Sequence, residues 1–247
     1  MKIVLWVYLL GIILLNAGEI KIAVAANVSY AIKPLIKTFN QIHPDIKVQP
    51  ILGSSGKLTA QIRHGSPVGL FMSANMKYPE ALYEEGNAVS KPIVYAQGAL
   101  ALLSVKVQDF SKGLVLLKSQ KIEKIAIANP KTAPYGVAAA EALKNAKLYE
   151  ILKPKFVYGE SISQTVTYAT KAADIGLIAK SSLFSPQMRH FKEGVNWKDV
   201  NSSLYTPISQ GMVILKQGKG NAEIKAFYDF IMGDKAKKIL KSYGYKI

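Results

Sequence analysis

Hydrophobic positions along this chain switch repeatedly between two periods. "IKIAVAA" (Ile20 to Ala26) is a short, almost unbroken apolar run, the pattern of a buried strand. Beyond Asn27, residues Val28, Ile32, Leu35, Ile36, Phe39 and Ile42 keep helical spacing, which predicts a helix that ends before Pro44 and is kinked near its start by Pro34. Further strands are predicted at Ile46 to Leu52 and Val68 to Ala74, and helices from Lys57 to His64 and around Glu80 to Glu85. A second block opens near Ala99 to Ser104. It carries strands at Lys124 to Asn129, Lys155 to Gly159 and Ile175 to Ala179, with helices from Gly136 to Ala146 and from Ile162 to Ala172. The chain closes with the strand "GMVILK" and two helices. Asn221 caps the first, which turns Ile224, Phe227 and Ile231 inward; the second runs from a cap at Asp234 to a stop at Gly244. Strands alternating with helices predict an α/β protein of parallel sheets covered by helices. No Pro/Gly/Ser-rich linker separates the blocks, so strands are expected to join them.

Composition adds size and destination. The 247 residues are 49% hydrophobic, enough for one large domain or two lobes with cores of their own. Lys2, the apolar run Ile3 to Leu15 and the small residues Ala17 and Gly18 read as a cleavable secretory signal peptide over residues 1–18. The run is well short of the roughly 20 residues that span a bilayer. There is no cysteine, hence no disulfide framework and no lipid-accepting residue at the cleavage site. A free protein in a bacterial periplasm is the expected destination. Lysine and arginine outnumber aspartate and glutamate 32 to 16. The basic residues are scattered, without a stripe interleaved with aromatics, so they predict a solvated surface rather than a nucleic-acid site.

Candidate chemistry lies at four strand-to-helix turns, two in each block: "AANVS", "GSSG", "TAPYG" and "GESIS". Helix N-termini present unpaired N–H groups and the positive end of the dipole, and in open α/β sheets ligands collect at such ends. Glycines allow close approach and serine hydroxyls add neutral donors. Four such turns facing one another predict a cage for a small tetrahedral oxyanion. The donors are neutral and Glu160 is the only acid in the turns, so the cage is expected to refuse monohydrogen phosphate, whose proton needs an acceptor.

Other chemistries fit the inventory poorly. Ser54 to Lys57 matches the S-x-x-K pattern of serine acyl-transfer enzymes, but S-D-N is absent and K-T-G is approached only by "KTA" at Lys131. The loop lacks the spacing of a nucleotide-binding loop. His43, His64 and His190 are too dispersed in sequence to suggest a metal site or a catalytic base. Nothing reads as catalytic, and no cofactor is expected.

With those turns placed, the chain from Ile20 to Tyr245 resembles the periplasmic molybdate-binding proteins of ABC importers. The stretches that carry the likeness are "IAVAANVSYAIKPLI", "GSSGKLTAQIRHGSPVGLFMSAN", "KIAIANPKTAPYGVAAAEAL", "ADIGLIAKSSL" and "IKAFYDFIMGDKAKKILKSYGY". The resemblance implies a two-lobed periplasmic binding protein fold (type II), each lobe a sheet flanked by helices and joined by hinge strands. Lobe 1 would comprise residues 19–96 and 208–247, and lobe 2 residues 97–207. It implies a monomer that closes on molybdate or tungstate without turnover, holds the metal only as its oxyanion, and delivers it to a membrane permease and its ATPase. Receptors for sulfate, thiosulfate or phosphate are the nearest alternative. Carried over by position, the ligand residues are Asn27, Ser55 through hydroxyl and backbone N–H, Tyr135, and Ile162 through its backbone N–H. Some members use a tyrosine hydroxyl where this chain has Ala179; the Tyr135 hydroxyl is the expected replacement, and Ser54 is expected to shape the loop.

Overall fold

The computed structural model describes residues 18–247, so the expected signal peptide, apart from Gly18, lies outside the described residues. The first block contains β1 (Gly18–Ala25), α1 (Ile32–Asn40), β2 (Ile46–Gly53), α2 (Ser55–Arg63), β3 (Leu70–Met72), α3 (Lys77–Glu84) and β4 (Ile93–Gly98). The second contains β5 (Leu100–Leu103), β6 (Ile125–Ala128), α4 (Pro134–Asn145), α5 (Tyr149–Leu152), β7 (Phe156–Gly159), α6 (Ile162–Lys171), β8 (Ile175–Ala179) and β9 (Trp197–Asp199). The chain ends with β10 (Ile208–Ile214), α7 (Ala222–Met232) and α8 (Asp234–Ser242). Among the described residues no helix is long and apolar enough to cross a membrane.

Two five-stranded sheets result, in the orders β2-β1-β3-β10-β4 and β7-β6-β8-β5-β9. Each is mixed rather than parallel. β10 runs antiparallel to both β3 and β4, and β5 antiparallel to both β8 and β9. The reason is connectivity: β4 leads into β5 through Ala99 alone, too short for a helical crossover, and β10 returns from the second sheet. The two sheets are therefore linked at Ala99 and again between Asp199 and Ile208.

Alternation along the strands covers both faces of each sheet. On β1, Ile20, Ile22 and Val24 meet Leu35 and Phe39 of α1 and Phe227 of α7, while Ala23 on the other face joins Leu58 of α2 and Leu82 of α3. Phe39 and Phe227 pack edge to face at 5.0 Å. In the second sheet Ile125 and Ile127 face the alanine-rich α4, while Ala126 and Ile178 face Val166 and Ala169 of α6.

Several boundaries differ from the periodicity; α4, for example, begins at Pro134, two residues earlier than predicted, and α3 at Lys77. The first helix begins at Ile32, because Ala26–Val28 form a separate 3-10 turn; Pro34 then sits in the first helical turn, where no N–H is needed and no kink is required. α2 starts at Ser55, two residues earlier than predicted. The N-cap of α8 is Gly233, with Asp234 already helical, whereas Asn221 does cap α7 by accepting from the N–H groups of Glu223 and Ile224. Strands β4 and β9 escaped the pattern.

Candidate functional site

The four turns meet between the sheets. A tight cavity of about 10 Å³ is lined by Ala25, Ala26 and Asn27 after β1, Ser54 and Ser55 at α2, Ala74 after β3, Ala133, Pro134 and Tyr135 at α4, and Ile162 at α6. Asn27, Ser54, Ser55, Tyr135 and Ile162 are thus brought together. Ala179 ends β8, buried, and does not line the cavity.

Each lining segment points donors inward for a reason legible in its backbone. Ser55 and Ile162 are the first helical residues of α2 and α6, and Tyr135 is the second of α4, behind Pro134. N–H groups in a first turn have no carbonyl behind them, and among the described residues no other group takes those of Ser55, Tyr135 or Ile162. Ser54 occupies the N-cap of α2 with extended backbone, yet its hydroxyl makes no capping bond and is left buried without a partner. Ser55 Oγ accepts the Ala74 N–H at 2.9 Å, which leaves its own proton to donate. No charged side chain lines the cavity. Among the described residues no group of three or more His, Cys, Asp and Glu converges as a metal site.

The two sides touch around this cavity. Gly56 N–H donates to the Thr132 carbonyl at 2.9 Å, joining the α2 turn to the loop before α4. Lys57 Nζ lies 2.6 Å from Glu160 Oε2 on the surface above, both side chains exposed. That pair removes Lys57 from Ser54, so the S-x-x-K spacing does not build a serine–lysine dyad. It also holds the Glu160 carboxylate outside the lining. Behind the cavity, Ser181 Oγ reaches the Asn27 carbonyl at 3.0 Å, and Asn27 Nδ2 donates to Gln210 Oε1 at 2.7 Å and to Tyr245 Oη at 2.9 Å. Sequence reasoning missed Gln210, Tyr245 and Ser181. The one usable signal was Gln210, an uncharged polar residue inside the apolar strand "ISQGMVI" and fully buried on β10.

Burial also sets the ionisation of the tyrosines here. It pushes Tyr245 up from 10.0 to about 12, and raises Tyr95 and Tyr135 well above the ordinary value. All three are neutral donors at neutral pH. Below pH 10 folded and unfolded chains both keep these protons, so stability is unaffected. Above it the unfolded chain ionises first, and stability falls by ~1.4 kcal/mol per pH unit for each tyrosine. Denaturation between pH 10 and 12, followed by far-ultraviolet dichroism and tyrosinate absorbance, should show the three ionising only as the fold is lost. Smooth titration of every tyrosine in the intact fold would contradict this.

A chain that crosses twice between two helix-covered sheets and closes them over a small gap lined by helix N-termini has the architecture of a two-lobed solute-binding protein. Residues 20–246 match the family model for bacterial extracellular solute-binding proteins, and the chain belongs to that family. It is 37% identical over 232 residues to the molybdate-binding protein ModA of Azotobacter vinelandii, covering 93% of this chain and 90% of that protein. It is 39% identical over 234 residues to ModA of Rhodobacter capsulatus, covering 93% and 88%. Among solved structures, the periplasmic molybdate-binding protein of Azotobacter vinelandii superposes with a TM-score of 0.85 at 30% identity, over 92% of this chain and 99% of that one. These relatives are binding proteins, not enzymes.

Proposed function

We propose that the chain is a periplasmic receptor that captures molybdate or tungstate between lobe 1 (residues 19–96 and 208–247) and lobe 2 (residues 97–207). It acts as a monomer, performs no turnover, and hands the anion to a membrane permease driven by an ATPase. Asn27, Ser55, Tyr135 and Ile162 hold the oxyanion, with Ser54 as a further hydroxyl donor.

The observation that carries this reading is the lining of the cavity. The cavity's volume is about 10 Å³, far below the roughly 300–1,000 Å³ of pockets for drug-sized ligands, so the lining and not the size points to a ligand. It is uncharged, yet ringed by unclaimed N–H and hydroxyl donors from both sheets, a lining that suits a small dianion. The relatives named above bind molybdate by their descriptions.

Molybdate and tungstate are nearly equal in size and larger than sulfate, so a rigid cage separates them from sulfate and hardly from each other. Thermal unfolding with each anion tests this. Molybdate and tungstate should each raise the midpoint at low micromolar concentration, with little effect from sulfate and none from phosphate. Equal stabilisation by sulfate or phosphate would transfer the assignment to a receptor for those anions.

A further inference from the structure

The lining of the cavity is uncharged, yet the turn that opens α6 begins with an acid. Glu160 stands two residues before Ile162 and is the only carboxylate in the four turns. A dianion held at the N-terminus of α6 would be repelled by that carboxylate if it were left unpaired. The opposite turn supplies a partner. Lys57, two residues after Ser55 in the first turn of α2, reaches across and sets Nζ 2.6 Å from Glu160 Oε2.

The placement of this pair sets it apart from the other ion pairs. α2 follows β2 of the first sheet, and Glu160 follows β7 of the second. Among the described residues it is the only ion pair that joins the two blocks, and every other one stays within its own side of the molecule. Neither side chain bonds any other group among the described residues, so nothing else fixes their positions. Next to Lys57, the Gly56 N–H donates to the Thr132 carbonyl at 2.9 Å, and the α2 turn therefore touches the second block through two consecutive residues. Both charged side chains are exposed, so the pair can part and re-form without disturbing either core.

We propose that Lys57 and Glu160 are positioning residues that latch the closed receptor and, by pairing, cancel the carboxylate that would otherwise oppose the bound dianion. This rests on the oxyanion-receptor reading above. With the lobes apart, Lys57 stands free beside the Ser55 turn and attracts an incoming anion, while Glu160 stays with the other lobe. On closure the two charges meet, and the cage is shut by a pair of zero net charge. An exposed ion pair changes an equilibrium constant by only about 1.5- to 5-fold. Removing Lys57 alone adds to that the repulsion between an uncompensated Glu160 and the ligand, whereas removing both charges does not.

A double-mutant cycle read by calorimetry with sodium molybdate tests the latch. Lys57→Met should weaken binding by about three- to tenfold in the wild-type background, but by no more than about twofold in a Glu160→Gln background, where there is no carboxylate left to pair or to cancel. Equal losses in the two backgrounds would make Lys57 an independent surface charge and overturn the proposal. Exchanging the charges gives a second reading. Lys57→Glu alone sets two carboxylates against each other and should cost about tenfold or more; adding Glu160→Lys rebuilds the pair in reverse and should bring affinity back to within about threefold of wild type. Failure to recover, in a double variant whose thermal midpoint without ligand matches wild type, would equally sink the latch. Wild-type protein that binds no molybdate would overturn the receptor reading and the latch with it, whereas normal wild-type binding with additive losses would overturn the latch alone.

Discussion

Ser55→Ala should weaken molybdate binding by about 1.5 to 3 kcal/mol, a loss of roughly 10- to 150-fold, because it deletes a hydroxyl that donates to a buried dianion. The size of the effect comes from where the residue sits. Ser55 is fully buried, its lone pair is already occupied by the Ala74 N–H, and so the proton has no competing use inside the chain. Removing the side chain also strands the Ala74 N–H. The unliganded fold should lose less than the complex, since water can reach that N–H when the lobes part. Titration calorimetry at fixed ionic strength measures the first quantity and denaturant unfolding the second. Affinity equal to wild type would remove the Ser55 hydroxyl from the site.

Gly56→Val should act on closure instead of contact. A Cβ at Gly56 would lie 2.9 Å from the Thr132 carbonyl oxygen and 3.0 Å from Thr132 Cα, both backbone atoms of the opposite block, and 2.8 Å from the Tyr78 hydroxyl. The phenol can swing aside, but the backbone at Thr132 can retreat only if the lobes stay apart. Overpacking of this kind costs typically 1–3 kcal/mol. Here the cost falls on the closed form alone, so affinity should drop by about 5- to 150-fold while the thermal midpoint of the free protein holds. Small-angle scattering with saturating molybdate should show a more extended particle than wild type. A variant that binds and compacts normally would show that α2 and the Thr132 loop need not touch.

The amphipathic segments that the sequence resolved are those whose neighbours are local. α6 begins at Ile162 and β8 spans Ile175–Ala179, as their spacing predicts, because each has an apolar face and a strong boundary residue. The four turns were legible too, since glycine, serine and proline mark them directly. What stayed hidden depends on partners far along the chain. The strand direction of β10 is set by neighbours more than a hundred residues earlier, and β9 is a three-residue strand with only Trp197 half-buried. The polar cluster behind the site was out of reach for the same reason: Asn27 and Tyr245 are 218 positions apart, and no periodicity connects them.

The place of β10 in its sheet has a consequence for the order in which the molecule can be assembled. It lies between β3 and β4, and among the described strands it is the only neighbour that β4 has. A nascent chain that has not yet reached residue 208 therefore carries β4 as an unpaired strand, while every strand of the second sheet is already present. The second sheet can pair without that stretch, whereas the first must wait for the last part of the chain to enter between β3 and β4. The same late stretch brings Gln210 and Tyr245 to Asn27. The turn after β1 therefore gains its full set of polar contacts only when the C-terminal stretch is in place.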